Sequence, residues 1–222
     1  MSSARQSMDS IAFKLRKWLG MRTGSRLPQV LLHNKTDYRF AEHYGDFHFG
    51  ESFDNFAIKG LAQESGKIYG AIVKFLREIP TPVRSVLLPG ENNRVKPVYA
   101  QMLGLDESHI VTAGILDDMD VQWNFEQPPV FEQRFDCIVS QSMLEHLIDP
   151  YKHVRDCASL LDNGGHMILH TVMPGFNYHR YPVDCMRFYP DWFEEVAKRL
   201  ALDIHDKYIH NSRITYILRK PA

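Results

Sequence analysis

The sequence predicts an α/β fold in which a mostly parallel sheet carries helices on both faces and ends in a β-hairpin. Beyond residue 80, short apolar runs alternate with segments of helical periodicity, as in strands joined by crossover helices. The last segment, residues 202–220, contains two strand-like runs around the turn-prone letters HNS, which predicts a closing hairpin. The chain has 222 residues, of which 44% are hydrophobic, enough for one domain with a large core.

Two segments precede this domain, which we place at residues 81–222. Residues 1–26 carry six Lys or Arg against one acid, and their apolar positions recur at helical spacing, which predicts a basic amphipathic helix. Such a helix either lies on an anionic membrane surface or packs on the domain with its charges solvated. Residues 27–80 are predicted to form a cap: irregular structure over a cleft in 27–60, then an amphipathic helix over 61–76 that ends before Pro80.

Local signals define the elements of the main domain. Asp149 is a predicted N-cap, Pro150 follows it in the first helical turn, and Gly164 or Gly165 lies past the end of that helix. A second helix begins at Pro190, with acids near its start and bases near its end. The predicted strands are 83–88, 109–115, 135–140 and 166–172, and the predicted helices are 95–103, 149–163 and 189–200.

Composition excludes several classes of function. A formal net charge of -1 and a pI near 6.8 argue against a nucleic-acid-binding protein, which usually carries a strongly basic surface. Three cysteines without CxxC spacing indicate neither a disulfide framework nor a zinc site, and the histidines of residues 27–60 lack metal-ligand spacing, so no metal is predicted. Without a long apolar run, we expect a cytoplasmic protein, with peripheral membrane contact only through residues 1–26.

Two stretches resemble a known family. FDCIVSQSMLEHLIDPYKHVRDCASLLDNGGHMILHTV, residues 135–172, is similar to the fourth strand, the following helix and the fifth strand of class I S-adenosylmethionine-dependent methyltransferases. YHRYPVDCMRFYPDWFEEV, residues 178–196, resembles a segment of a subset associated with methylation of surface-polysaccharide sugars or small metabolites. The resemblance covers about residues 80–222. It implies a Rossmann-like sheet of seven strands, one of them antiparallel, with S-adenosylmethionine as the methyl donor.

The resemblance places the donor site at the turn after the first strand, where the family has an acid and several glycines. Here only Gly90 remains, followed by Glu91, Asn92 and Asn93. Asparagine tolerates the left-handed backbone that such turns need, and Glu91 is a candidate for the missing acid; the alternative is a vacated site. In the family, the acid that binds the ribose hydroxyls falls near the position of Leu116. Asp117, followed by Asp118, lies one residue further on. It either takes over this role or, with Asp118, only opens a solvated loop. Ser140 and Gln141 end the next strand, where ligands bind in such sheets.

Catalysis by such a protein requires a base if the acceptor is a hydroxyl. His179 is the predicted base, with loop packing as its alternative, and Asp184 is predicted to orient it or to bind substrate. His146 is a second candidate, with a structural role as its alternative. The predicted substrate-binding residues are Tyr181, Arg187 and Arg180, which concentrate hydrogen-bonding groups and a flat ring at the cleft rim. The alternative for Asp184 and Arg187 is a local ion pair.

Two hypotheses of function follow. The first is an S-adenosylmethionine-dependent methyltransferase acting on a hydroxyl of a sugar or other small metabolite. The second is a catalytically degenerate methyltransferase-like fold that serves as a partner- or membrane-binding accessory protein, which the glycine-poor turn and the basic N-terminal segment favour. Binding of the donor discriminates between them.

Overall fold

The computed structural model describes residues 48–49, 68–180, 182–210 and 212–222. The predicted basic helix of residues 1–26, nearly all of the predicted irregular segment 27–60, and Tyr181 therefore lie outside the described residues. Only the end of the predicted helix 61–76 is described, and there the structure has a helix from residue 70 onward.

Most elements lie where the sequence predicts them. The differences are at boundaries: the strand predicted for 166–172 begins at Leu161, so Gly164 and Gly165 lie inside this strand rather than at a helix end. The helices are α1 Gly70–Glu78, α2 Lys96–Leu103, α3 Pro150–Leu160 and α4 Pro190–Arg199. The strands are β1 His48–Phe49, β2 Val86–Pro89, β3 Ile110–Gly114, β4 Val121–Gln122, β5 Phe135–Gln141, β6 Leu161–Val172, β7 Asp203–His210 and β8 Arg213–Arg219.

The strands form one sheet in the order β1-β7-β8-β6-β5-β2-β3-β4. Strands β2 to β6 pair in parallel, whereas β8 is antiparallel to both β6 and β7. This confirms the mostly parallel sheet with a C-terminal antiparallel hairpin. The seven strands from β2 to β8 match the predicted number, and the two-residue β1 adds an edge strand parallel to β7.

Helices cover both faces of the sheet, as predicted. Val154 of α3 and Phe193 of α4 pack with Leu87 and Ile138 on one face. Ile72 of α1 and Val98 of α2 pack on the other face against the alternate residues of the same strands, Val86, Leu88 and Val139. Among the described residues, no helix is long and apolar enough to cross a bilayer.

Helix α3 shows how a local signal fixes an element beside the site. The side chain of Asp149 accepts a hydrogen bond from the backbone N–H of Lys152, at 2.9 Å, and Pro150 occupies the first turn. Both features were predicted, and they fix the point where the chain leaves the end of β5 and enters the helix.

The parallel strands bring their carboxyl ends to one edge of the sheet, which we call the carboxyl edge. Gln141 near the end of β5 pairs with His170 of β6, and Val172 at the end of β6 pairs with Arg213 at the start of the antiparallel β8. The carboxyl edge therefore joins residues that are up to about 70 positions apart in the sequence.

Candidate functional site at the carboxyl edge

The turn after β2 depends on Gly90. Its φ of 82° lies in the left-handed region, and its N–H donates to the carbonyl of Ala113 at 2.7 Å, which joins the turn to β3. A Cβ atom at this position would lie 2.1 Å from Sδ of Met143. The turn thus keeps the one glycine that it requires, and the flexible side chain of Met143 lies against its bare face.

Asn92 and Asn93 do not have the role that the sequence predicted. Asn92 has φ of −89°, and its side chain accepts from the N–H of Arg94 to cap a short 3-10 turn. Oδ1 of Asn93 accepts from the hydroxyl of Thr112 at 2.6 Å, which fastens the turn to β3. Gly90 alone supplies the positive φ of this turn, and both asparagine side chains are used to hold it in place.

Glu91 points its carboxyl group into the protein. Oε1 of Glu91 accepts from the amide of Gln141 at 2.9 Å, and Oε1 of Gln141 accepts from the N–H of Tyr69 at 3.2 Å. Burial raises the pKa of Glu91 to about 7, against a smaller lowering effect of the hydrogen bond from Gln141. Such a carboxyl group is suited to a cationic ligand, whose positive charge would favour the ionised form.

The other predicted donor-site residues divide into two groups. Asp117 and Asp118 are exposed just past the carboxyl end of β3, beside the exposed apolar side chains of Ile115 and Leu116. Ser140, in contrast, is completely buried, and its hydroxyl lies 3.1 Å from Nε2 of the buried His153. The prediction that Ser140 contacts a ligand is corrected: β5 turns this side chain towards α3, whereas Gln141 faces the turn.

His179 lies between two carboxylates. Its Nδ1 is 3.5 Å from Oδ2 of Asp184, and its Nε2 is 3.7 Å from Oε1 of Glu145. The side chains of both acids are fully buried, and that of His179 is 36% exposed, so the imidazole can be reached from the cleft. The backbone N–H of His179 also donates to Asp184, at 2.7 Å. The arrangement holds the ring between the two carboxyl groups.

Glu145 is the residue of this cluster to which the sequence had given no role. It lies in the 3-10 turn Leu144–His146 directly after β5, and its Oε2 accepts from the hydroxyl of Thr171 at 2.6 Å. Its backbone carbonyl accepts from the N–H groups of Cys185 and Met186. Oε1, which faces His179, has no hydrogen-bond partner among the described residues. The only feature of the sequence that could have indicated a role for Glu145 was its position in the letters LEH, residues 144–146.

His146 contacts the same cluster. Its Nδ1 donates to the carbonyl of Val183, which leaves Nε2 free to accept, 4.0 Å from Oε1 of Glu145. The rings of His146 and His179 pack edge to face at 4.9 Å. The sequence predicted no metal site, yet ligand atoms of Glu145, His146 and His179 all lie within 4.8 Å of one another, a group that could hold a metal ion.

The predicted substrate contact of Arg187 is corrected. Its guanidinium binds Asp184 through two N–H groups and donates to the carbonyls of Phe176, Asn177 and Met186. These bonds hold the pKa of Asp184 well below its usual range. The local ion pair, the alternative to substrate binding, is what the structure shows. Arg180 is exposed and donates to the carbonyl of Pro182, and Tyr181 lies outside the described residues.

Replacement of Arg187 by lysine is expected to loosen the loop that carries His179. Lysine keeps the charge but loses the planar fork that binds both oxygens of Asp184 and three carbonyls. We expect amide hydrogen exchange of His179 and Cys185 to accelerate about tenfold, equivalent to loss of about one net hydrogen bond. Arg180→Lys, which alters an exposed arginine of the same loop, is the control; unchanged exchange in Arg187→Lys would contradict the role of Arg187.

A second cluster was not predicted at all. The ring of Tyr69 stacks on His170 at 3.8 Å, and the guanidinium of Arg213 lies 5.0 Å from the centre of the same ring. The other neighbour of Arg213 is the ring of Phe176, at 4.9 Å, which also contacts the ring of His179 at 5.1 Å. A small cavity adjoins the cluster, lined by Tyr69, Ala71, His170, Tyr208, His210, Arg213 and Thr215.

Comparison with known proteins identifies the domain. The sequence profile of a family described as "Methyltransferase domain" matches residues 89–211, more than half of the chain. The chain is 31% identical over 85 residues to a ubiquinone biosynthesis O-methyltransferase of Coxiella burnetii, and this match covers 37% of the chain. The match spans 33% of that enzyme, so the chain corresponds to about a third of the curated relative.

Solved structures share the fold. The CcbJ methyltransferase of Streptomyces caelestis has a TM-score of 0.54 and 14% identity, over 68% of this chain and 94% of that one. An S-adenosylmethionine-dependent methyltransferase of Clostridium acetobutylicum has a TM-score of 0.54 and 12% identity, over 68% and 89%. At these identities the structures establish the fold alone.

Proposed function

Because this chain belongs to the class I S-adenosylmethionine-dependent methyltransferases, we propose that it transfers a methyl group from S-adenosylmethionine to a hydroxyl group of a small molecule. A relative named as an O-methyltransferase supports an oxygen acceptor. We propose two narrower acceptors within that class. The first is a sugar hydroxyl, because residues 178–196 resemble a segment of proteins that methylate sugars. The second is a phenolic hydroxyl.

The residues at the carboxyl edge fit the donor. Gly90 keeps the turn after β2 close to β3, and the buried carboxyl of Glu91 suits the ammonium of the donor's amino-acid end. Asp117, which follows β3, would accept from the ribose hydroxyls, with the exposed Ile115 and Leu116 as an apolar surface beside it. Met143, which lies against Gly90, is a flexible side chain that can move aside. Gln141 holds Glu91 and the backbone of Tyr69 together.

The donor, when bound, supplies a methyl group already activated by its sulfonium. The protein has to position a hydroxyl group and accept its proton. His179 is the group for this step: with its ring proton on Nδ1, 3.5 Å from Oδ2 of Asp184, Nε2 takes the proton from the hydroxyl group. Glu145, 3.7 Å from Nε2, then stabilises the imidazolium, and Arg187 keeps Asp184 ionised and in place.

The observation that carries the proposal is the position of His179 between the buried carboxylates of Glu145 and Asp184. Buried carboxylates beside an accessible imidazole are costly in a purely structural loop, because each loses solvation. Glu145 follows Gln141 by four residues, so the segment that ends β5 reaches both the Glu91 turn and the histidine. A donor site and a base thus meet at one edge.

The test has two stages. Calorimetric titration of the full chain with S-adenosylmethionine and S-adenosylhomocysteine should show binding of both. Formation of S-adenosylhomocysteine should then require catechol or glucose and should not occur with 1,2-diaminobenzene, and mass spectrometry should place the methyl group on oxygen. Folded protein that binds neither ligand would favour the degenerate accessory protein, whereas methylation of nitrogen would overturn the oxygen acceptor.

A further inference from the structure

Arg213 is a cation without an acidic partner in the described part of the chain. It begins β8 at the carboxyl edge, and Cζ of its guanidinium lies over the rings of Tyr69 and Phe176, 5.0 and 4.9 Å from their centres. Its Nε is buried and has no hydrogen-bond partner among the described residues. The two rings favour a cation through their faces, but they leave the hydrogen-bonding N–H groups of the guanidinium unused.

The two buried acids of the His179 cluster are already occupied. Asp184 binds Arg187 through both oxygens, and Glu145 accepts from Thr171 and faces the two histidines. The contrast with Arg187 is informative, because that arginine satisfies its donors on one carboxylate and three carbonyls. Arg213 has no such carboxylate among the described residues, and its planar fork matches the oxygens of a carboxylate or a phosphate.

We propose that Arg213 binds an anionic group, carboxylate or phosphate, of the acceptor whose hydroxyl faces His179. This inference rests on the proposed function and narrows its substrate class. The ring of Phe176 contacts both Arg213 and His179, at 4.9 and 5.1 Å from its centre, so the guanidinium and the imidazole lie no more than about 10 Å apart. A hydroxylated aromatic acid or a sugar phosphate has an anionic group and a hydroxyl group within such a distance.

The surroundings of Arg213 fit this role. The cavity beside it carries the polar groups of His170 and Thr215, and Nε2 of His170 is buried without a hydrogen-bond partner among the described residues. Burial and, secondarily, the charge of Arg213 lower the pKa of His170 to about 3, so this ring is neutral near pH 7. A neutral imidazole can donate one hydrogen bond to an anion held by the arginine.

Direct binding tests the subsite without requiring turnover. Nuclear magnetic resonance or fluorescence titration of the full chain should show that benzoate or inorganic phosphate binds, that Arg213→Met weakens binding about 10- to 100-fold, and that Arg213→Lys restores part of it. Arg219→Met is the matched control, because Arg219 ends the same strand at the opposite edge of the sheet and its Nε likewise lacks a hydrogen-bond partner among the residues described. The ligand that binds more tightly distinguishes a carboxylate from a phosphate subsite.

Turnover separates this proposal from the proposed function. KM for 3,4-dihydroxybenzoate should be lower than for catechol, or KM for glucose 6-phosphate lower than for glucose, and Arg213→Met should abolish the difference. Methyl transfer to neutral acceptors with no preference for their anionic counterparts would overturn the Arg213 subsite and leave the methyltransferase standing. Anion binding that Arg213→Met and Arg219→Met weaken equally would also overturn it. Failure of donor binding would overturn the proposed function instead.

Discussion

His179→Ala is expected to lower the rate of methyl transfer by about 10²- to 10⁴-fold while leaving the affinity for S-adenosylmethionine unchanged. The ring is partly exposed and is held between two buried carboxylates. Alanine removes the proton acceptor, and the turn formed by Gly90 and Glu91 does not contact the deleted ring. Single-turnover rates with catechol or glucose, combined with calorimetry of the donor, measure the two quantities separately.

The control for this variant is His109→Ala, which removes an exposed histidine beside the amino end of β3, far along the chain from the cluster. It should retain the wild-type rate. A fall in donor affinity equal to the fall in rate would show that His179 supports the donor site and is not the base. Equal rates for His179→Ala and wild type would remove His179 from the mechanism.

The same cluster allows a metal to be tested as the competing explanation. If Glu145, His146 and His179 held a catalytic ion, chelation by EDTA would abolish transfer, and His146→Ala would be as inactive as His179→Ala. A proton acceptor at His179 predicts that EDTA has no effect. It also predicts that His146→Ala retains most of the rate, since the ring of His146 is bound to the carbonyl of Val183.

The fold was predictable because its signals are local. Asp149 and Pro150 are a helix-start signal that acts within one turn and does not depend on distant residues. The short apolar runs indicate strands that are buried on both faces. The hairpin β7–β8 follows from two strand-like runs around a turn. What local signals did not fix were boundaries, such as the start of β6 at Leu161, where pairing with Phe135 of β5 extends the strand across two glycines.

The candidate site was only partly predictable because its contacts are distant in sequence. His179 and Asp184 are five residues apart, and their association was expected. Arg213, Tyr69 and Phe176 come from three separate regions, and nothing in the sequence marks an arginine at the start of a strand as unpaired. The buried Glu145 and the use of Asn93 to bind Thr112 likewise depend on the register of neighbouring strands.

Glu91→Gln is expected to make the unliganded protein more stable above pH 7 and the donor complex weaker. Burial raises the pKa of Glu91 from 4.5 to about 7, so the folded state binds more protons than the unfolded state between these values. The free energy of unfolding therefore falls as pH rises from about 4.5 to 7, by about 3 kcal/mol in total. Glutamine carries no charge and keeps the oxygen that accepts from Gln141, so urea denaturation at pH 8 should show a gain of this size.

The affinity for the donor should rise with pH, whereas the free energy of unfolding falls. The ammonium of the donor favours the carboxylate form, so wild-type affinity should rise by up to about tenfold per pH unit below pH 7 and level off above it. In Glu91→Gln this dependence should vanish, with affinity at pH 8 about 10- to 100-fold lower because a charge-assisted hydrogen bond is lost. Glu107→Gln, which changes an exposed carboxylate, is the control. A variant that gained stability at pH 8 but bound the donor as tightly as wild type would show that Glu91 is a strained core acid without a part in the donor site.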